Sequence, residues 1–152
     1  MNETCLLRLM EDAVQEEYDL YERLYNLSEQ QLELLGTDEP DVDAIADVMN
    51  RKMDLIGNIQ SVENRHIPVK EQWEQKYLQY SPQERDGLSQ LRERELQLIE
   101  RLHRMEGEIA QGIKHCEADI NRRLNNLRIG RTASQAYFRY ERLPPKYIDK
   151  RK

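Results

Sequence analysis

Hydrophobic residues recur at alternating steps of three and four along most of this chain, which is the spacing of long amphipathic helices. In the first segment this seam runs from Leu7 to Leu35, and a second apolar row beside it predicts that the helix packs against two partners. Gly36 should end the helix, because glycine readily adopts the left-handed conformation found after a helix. Thr37–Pro40 supplies capping oxygens and a proline suited to a first turn, so a second helix begins near residue 40.

The second helix carries apolar residues at helical spacing to about Ile67, and Pro68 then leaves two interpretations open. Proline disfavours the helical conformation in the residue before it, so the helix either ends there or continues with a kink. If it ends, Val69–Tyr80 forms a short separate helix. In that case the aromatic residues of the short helix, beginning with Trp73, cover one end of the bundle.

Ser81, Pro82 and Glu84 form the clearest local signal, a capping box that starts a third helix. Apolar spacing continues from there to Gly130, which gives roughly 48 residues and a length of about 72 Å. Preceding helices of roughly 33 and 28 residues cannot cover that length, so roughly the last 15–20 residues should overhang. The overhang is a candidate binding surface or homodimer seam. Its exposed apolar residues would be Ile113, Cys116, Ile120, Leu124 and Leu127.

Composition supports an all-α fold with a thin core. The 38% of hydrophobic residues can form an apolar seam, whereas the 34% of charged residues leave no room for a thick globular interior. We therefore expect an elongated antiparallel helical hairpin or three-helix coiled-coil bundle with a long third helix, covering residues 1–130. No segment approaches the roughly 18–20 apolar residues of a membrane span, and the first residues lack the basic start of a signal peptide. A cytoplasmic protein without membrane insertion is the expectation.

Charge divides the chain into an acidic body and a basic tail. Residues 1–121 carry 13 Lys/Arg against 27 Asp/Glu, a net charge of −14, whereas residues 122–152 carry 10 against 2, a net charge of +8. The tail, residues 131–152, should be flexible, and it carries the aromatic residues Tyr137, Phe138 and Tyr140 among basic ones. It is a candidate linear docking motif, although a solvated end is an alternative. Nucleic-acid binding is disfavoured because the acidic body would repel phosphates.

Catalytic and metal-binding signatures are absent from the sequence. The three histidines never pair at a spacing of four, and neighbouring side chains at His115–Cys116–Glu117 point about 100° apart on a helix, so they cannot converge on one ion. Cys5 and Cys116 are far apart and should be buried free thiols. Glycine-rich phosphate loops and a nucleophile elbow are also missing. We expect no enzyme activity, no cofactor and no metal.

Several features together resemble the FlgN-type flagellar export chaperones over essentially the full length. Besides the three-helix pattern they are the asparagine-rich stretch 121–127, the pairs Gly130–Arg131 and Ala136–Tyr137, and the terminal segment Tyr147–Lys152. The resemblance implies a cytosolic chaperone of the type III secretion pathway that holds hook-associated junction proteins unpolymerised and delivers them to the flagellar export gate.

The resemblance also implies two sites. In the family, an amphipathic helix of the client packs on the last long helix. That corresponds here to Ile109, Ile113, Cys116, Ile120, Leu124 and Leu127. A tyrosine near the C-terminus assists docking on the export gate, which corresponds to Tyr137. The neighbouring Phe138 and Tyr140 and the departure at Pro144–Pro145 leave open which aromatic residue docks.

Two other classes of function remain open at the level of the sequence. A structural coiled coil would use the same apolar stripe to close a stable homodimer. A regulatory adaptor similar to the FliT-type chaperones would bind transcription regulators as well as export clients. The identity of the client and the oligomeric state do not follow from the residues.

Overall fold

The computed structural model describes residues 3–117 and residue 122, and its architecture is the expected all-α helical bundle. Three long helices are present: α1 is Glu3–Leu35, α2 is Val42–Lys76 and α3 is Pro82–His115. A single 3₁₀ turn, Tyr77–Gln79, joins α2 to α3. The helices have 33, 35 and 34 residues, so each is about 50 Å long at 1.5 Å per residue.

The three helices run up, down and up. α1 packs along both α2 and α3, which confirms the expectation of two partners for the first helix. Core residues near the start of α1 meet the end of α2 and the start of α3, and core residues near the end of α1 meet the start of α2 and the end of α3. α1 and α3 are therefore parallel, and α2 is antiparallel to both.

Local capping determines where the helices begin and end. The Ser81 hydroxyl accepts a hydrogen bond from the Glu84 backbone N–H at 3.1 Å, and the Glu84 carboxylate accepts one from the Ser81 N–H at 3.0 Å. The expected capping box thus starts α3. Asp41 caps α2 by accepting from the N–H of Ala44 at 3.1 Å. Gly36 ends α1, but its backbone does not adopt the left-handed conformation expected from the sequence.

α2 continues through Pro68, so the alternative of a separate helix over Val69–Tyr80 is wrong. The proline is exposed and costs α2 one backbone hydrogen bond. Burial at the end of the helix offsets this cost, because Trp73 is buried with its ring centroid 4.8 Å from that of Tyr80. The aromatic cover expected at this end of the bundle does form, on a continuous helix and the turn after it.

α3 is shorter than the uninterrupted helix expected to reach Gly130. It ends at His115, Cys116 forms a turn, and Glu117 and Arg122 are again helical. Residues 118–121 and 123–152 lie outside the described residues, and with them the expected domain boundary at residue 130. None of the helices described has a stretch long and apolar enough to cross a membrane.

Three apolar clusters form the core at successive heights along the bundle. The aromatic cluster, at the end where α1 begins, contains Leu6, Met10, Val14, Trp73, Tyr80 and Leu88. The central cluster contains Tyr21, Leu24, Leu55, Ile56, Ile59, Leu98, Ile99 and Leu102. The loop-end cluster, beneath the α1–α2 connection, contains Leu35, Ile45, Ala46, Met49, Ile109 and Ile113. Buried polar side chains occupy the heights between these clusters.

Candidate functional site

The described part of the predicted client-binding face belongs to the loop-end cluster. Ile109 is 0% exposed and Ile113 is 8% exposed, while Cys116 is half-buried against the same cluster. The expectation that Ile113 is exposed is therefore wrong. The reason is length: α2 has 35 residues and not roughly 28, so α1 and α2 together cover α3 to its end.

The other predicted site residues lie outside the described residues. In the client-binding face these are Ile120, Leu124 and Leu127. The proposed docking residues Tyr137, Phe138 and Tyr140 are also outside. Among the positions expected to overhang, an uncovered surface can therefore begin only after Cys116.

α1 and α3 approach each other closely at the loop-end cluster. A Cβ placed on Gly112 would lie 3.2 Å from Leu35 Cδ1 and 3.3 Å from Leu35 Cβ. Both distances are shorter than ordinary contacts between aliphatic carbons, which are about 3.5–4.0 Å. Glycine at position 112 therefore lets the last residue of α1 pack directly over α3.

A buried salt bridge crosses the bundle between the central and loop-end clusters. Lys52 Nζ lies 2.6 Å from Glu106 Oε1 and donates to Gln31 Oε1 at 2.8 Å, and the Ser28 hydroxyl donates to Glu106 Oε1 at 2.6 Å. The Lys52 and Glu106 side chains are 0% and 2% exposed. We call Ser28, Gln31, Lys52 and Glu106 the lysine layer. It joins all three helices through polar side chains at one height.

The lysine layer contributes more to specificity of packing than to stability. Removing an ammonium group and a carboxylate from water costs several kcal/mol per ion, and their attraction roughly offsets that cost. Gln31 Nε2 is also buried without a hydrogen-bond partner, which costs about 1–3 kcal/mol. A shifted pairing of the helices would separate Lys52 from Glu106 and leave two buried charges uncompensated. The layer therefore favours one alignment of α1, α2 and α3.

A second polar layer joins α1 and α2 between the aromatic and central clusters. His66 Nδ1 is 2.6 Å from Glu17 Oε2, and His66 Nε2 is 2.9 Å from Glu16 Oε1. The donor and acceptor roles in these two hydrogen bonds depend on which ring nitrogens carry protons. Lys70 Nζ adds a contact of 2.8 Å to Glu17, which is fully buried, and Arg65 binds Glu16 at 2.6 Å. We call Glu16, Glu17, Arg65, His66 and Lys70 the histidine layer.

The contacts of the histidine layer lower the pKa of Glu16. Partial desolvation raises its pKa, but hydrogen bonds from Arg65 and His66 and the charges of these two groups outweigh that effect, so its pKa is lowered from 4.5. The ionised carboxylate is therefore the form that the folded protein favours.

Tyrosines on α1 serve packing and the rim of the bundle. Tyr21 is buried in the central cluster, and its hydroxyl donates to Glu63 at 3.2 Å. The guanidinium of Arg101 lies 4.9 Å from the ring centroid of Tyr25, and that of Arg94 lies 4.7 Å from the ring of Tyr18. Such contacts stabilise the α1–α3 seam by roughly 0.5–1 kcal/mol each at exposed sites.

Exposed apolar surface within the described residues is concentrated at the opposite end from the predicted client face. Tyr77 and Leu78 lie on the 3₁₀ turn, with Leu78 73% exposed, and Leu9 lies on the first turns of α1. Cys5, on the same part of α1, is exposed and Cys116 is half-buried, so the expectation that both thiols are buried is wrong. Over the same described part of the chain, no group of three or more His, Cys, Asp or Glu side chains is arranged to hold a metal ion.

The polar layers were missed from the sequence although a signal for them exists. Lys52 continues the four-and-three spacing of Ile45, Met49, Ile56 and Ile59, so it occupies a seam position of α2. Counting apolar residues alone passes over such positions. Asking which polar residue fills a gap in a regular seam would have identified Lys52 as buried, although not its partners on the other helices.

Comparison with models of known protein families gives a match over most of the chain. The family model described as "FlgN protein" matches residues 7–143, which covers nearly the whole bundle and continues through the aromatic part of the tail. No curated protein and no solved structure gives a significant match.

Proposed function

The chain belongs to the FlgN family of flagellar chaperones, and on that premise we propose that it binds hook-associated proteins in the cytoplasm, prevents their premature assembly and delivers them to the type III export gate. The observation that carries this proposal is the family match over residues 7–143. A bundle of parallel and antiparallel helices with a narrow apolar core is compatible with it, since such a scaffold presents helix faces to an amphipathic partner helix.

We propose that the client binds the residues that continue the apolar line of α3 in the sequence. The apolar line of Ile109 and Ile113 is continued in the sequence by Ile120, Leu124 and Leu127. Within the described residues, α1 and α2 cover α3 as far as its end at His115. An amphipathic client helix would supply an apolar partner for these residues.

The basic tail is the proposed docking element for the export gate. The family match extends past Tyr137, Phe138 and Tyr140, and this part of the chain is basic whereas the body is acidic. Aromatic residues among basic ones suit binding to a surface with acidic and apolar groups. With client binding and gate docking on different segments, the chaperone would hold its client while the export gate recognises the tail.

Size-exclusion chromatography with light scattering tests client binding directly. The full-length chain mixed with a purified hook-associated protein should form a complex of defined stoichiometry, and an unrelated secreted helical protein should not bind. A tight homodimer that does not bind any hook-associated protein would instead support the structural coiled coil, and the proposal would be wrong.

Export assays test the role of the tail. Deleting residues 131–152 should leave the client complex intact, because the client face lies before residue 131, but should reduce export. Single alanine substitutions at Tyr137, Phe138 and Tyr140 then identify the docking residue. Normal export by the deletion variant would contradict the docking proposal while leaving client binding untouched.

A further inference from the structure

We propose that the loop end of the bundle unfolds locally as a unit at the lysine layer, and that this opening exposes Ile109 and Ile113 to the client. By the loop end we mean residues 32–51 and 107–117, which surround the loop-end cluster. The inference rests on the proposed function and adds regulation to its site, since the described part of the client face is buried in the closed bundle.

The lysine layer interrupts apolar contact between two parts of the core. The fully buried residues of the central cluster end at Leu24, Leu55 and Leu102, and those of the loop-end cluster begin at Met49 and Ile109. The partly buried Met53 and Met105 pack against the loop-end cluster beside the layer. Between the two clusters lie Lys52, Glu106, Ser28 and Gln31. The Gln31 amide oxygen accepts from Lys52, but its amide nitrogen is buried without a hydrogen-bond partner. Groups of residues that share few apolar contacts with the rest of a protein open separately from it. The layer is therefore the natural boundary for a local unfolding unit.

α3 is weakened at the same height. Gly107 directly follows Glu106, lies in the helix interior and has no neighbouring atoms within 4 Å of a Cβ placed on it. Packing therefore does not require glycine there, and its conformational freedom lowers the stability of the helix. The turn at Cys116 also ends α3 ten residues beyond Glu106, so the part of α3 past the lysine layer is a short helical segment.

Contact between Leu35 and Gly112 keeps the loop end closed. Leu35 is the last residue of α1, and it packs on α3 at Gly112, where an added side chain would crowd it. When this contact breaks, the apolar surfaces of Ile109 and Ile113 lose their cover from α1. They then present an apolar surface that an amphipathic client helix can contact.

Hydrogen exchange of the full chain measures the opening without any client. Amides in residues 45–50 and 108–114 should exchange at least tenfold faster than those in residues 55–59 and 98–102. Ordinary fraying of helix ends would also accelerate exchange, so a control variant of the same chain is needed. The variant Ser28→Ala/Gln31→Leu/Lys52→Met/Glu106→Leu replaces the lysine layer by apolar side chains and joins the two clusters.

In this layer variant, exchange of the loop end should slow to within about threefold of the central cluster. Fraying does not depend on the layer and would persist. Unchanged fast exchange at the loop end of a folded layer variant, or equal exchange of both regions in the wild-type chain, would overturn the proposal.

An engineered disulfide tests whether the opening serves client binding. The Cβ of Leu35 and a Cβ on Gly112 are 3.3 Å apart, near the about 3.5–4.5 Å of disulfides, so Leu35→Cys/Gly112→Cys should link α1 to α3. Cys5 and Cys116 are replaced by serine to prevent other pairings. The oxidised protein should bind a purified hook-associated protein at least tenfold more weakly than the same protein after reduction.

The two experiments separate failure of this inference from failure of the proposed function. Equal affinity of the oxidised and reduced proteins would show that the client does not need the loop end to open, and the inference would fail while the chaperone function stands. Absence of client binding by the wild-type chain would instead overturn the proposed function, and the exchange result would still decide whether the loop end opens.

Discussion

Buried charge is the main residue-scale feature of this bundle, and two neighbouring residues allow a matched test. Lys52 is fully buried against Glu106, whereas Arg51 pairs with Asp47 on the surface. Lys52→Met should destabilise the protein by about 3–5 kcal/mol, because Glu106 would remain buried without its cationic partner. Arg51→Met should change stability by no more than about 0.5 kcal/mol. Denaturant unfolding measures both, and similar small effects would contradict the assignment of Lys52 to the core.

Glu16 predicts a specific dependence of stability on pH. Because its pKa in the folded state is lowered from 4.5, its contribution is fully present above the pKa of the unfolded state and is lost as pH falls through the lower folded value. Glu16→Gln should therefore reduce stability at pH 7, by roughly 0.2–1 kcal/mol since the pairs are partly exposed. This difference from wild type should decrease as pH falls below about 4.5. The substitution Glu29→Gln, at an exposed site on α1, controls for charge loss, and a constant difference down to pH 3 would contradict the prediction.

At the scale of elements, two glycines of α3 should respond in opposite directions to the same change. Gly107 has open space around it, so Gly107→Ala should raise the free energy of unfolding by about 0.5–1 kcal/mol through helix propensity. Gly112→Ala should lower it, because the new methyl group meets Leu35 at 3.2–3.3 Å. Thermal unfolding of the two variants provides the measurement. An equal gain from both would mean that α1 and α3 are further apart than the structure places them.

Helix boundaries were predictable from the sequence where local chemistry determines them. The capping box at Ser81 and the helix end at Gly36 depend on residues within one turn, and both boundaries were identified. Pro68 could not be resolved in the same way. Continuation of α2 through it depends on the burial of Trp73 against α1, which involves residues about sixty positions away in the chain.

At the scale of the whole molecule, the fold followed from hydrophobic spacing, but the coverage of α3 did not. A three-helix bundle needs only the periodicity of each helix, whereas the extent of the overhang depends on the length of α2 and on the turn at Cys116. The lysine layer likewise depends on which residues of three helices lie at the same height. Because the length of α2 was underestimated, Ile113 was expected on the surface, whereas it lies in the core.

The affinity of a double variant for a hook-associated protein tests the central claim most directly. Ile120→Ser/Leu124→Ser removes apolar side chains from the face proposed to contact the client, where each aliphatic side chain typically contributes about 1–3 kcal/mol on burial. We predict at least tenfold weaker binding by calorimetry, with unfolding stability within about 1 kcal/mol of wild type. Leu98→Ala, in the central cluster, should do the reverse and cost about 2–5 kcal/mol of stability. Unchanged client affinity of the Ile120/Leu124 variant, or a large loss of its stability, would contradict the account.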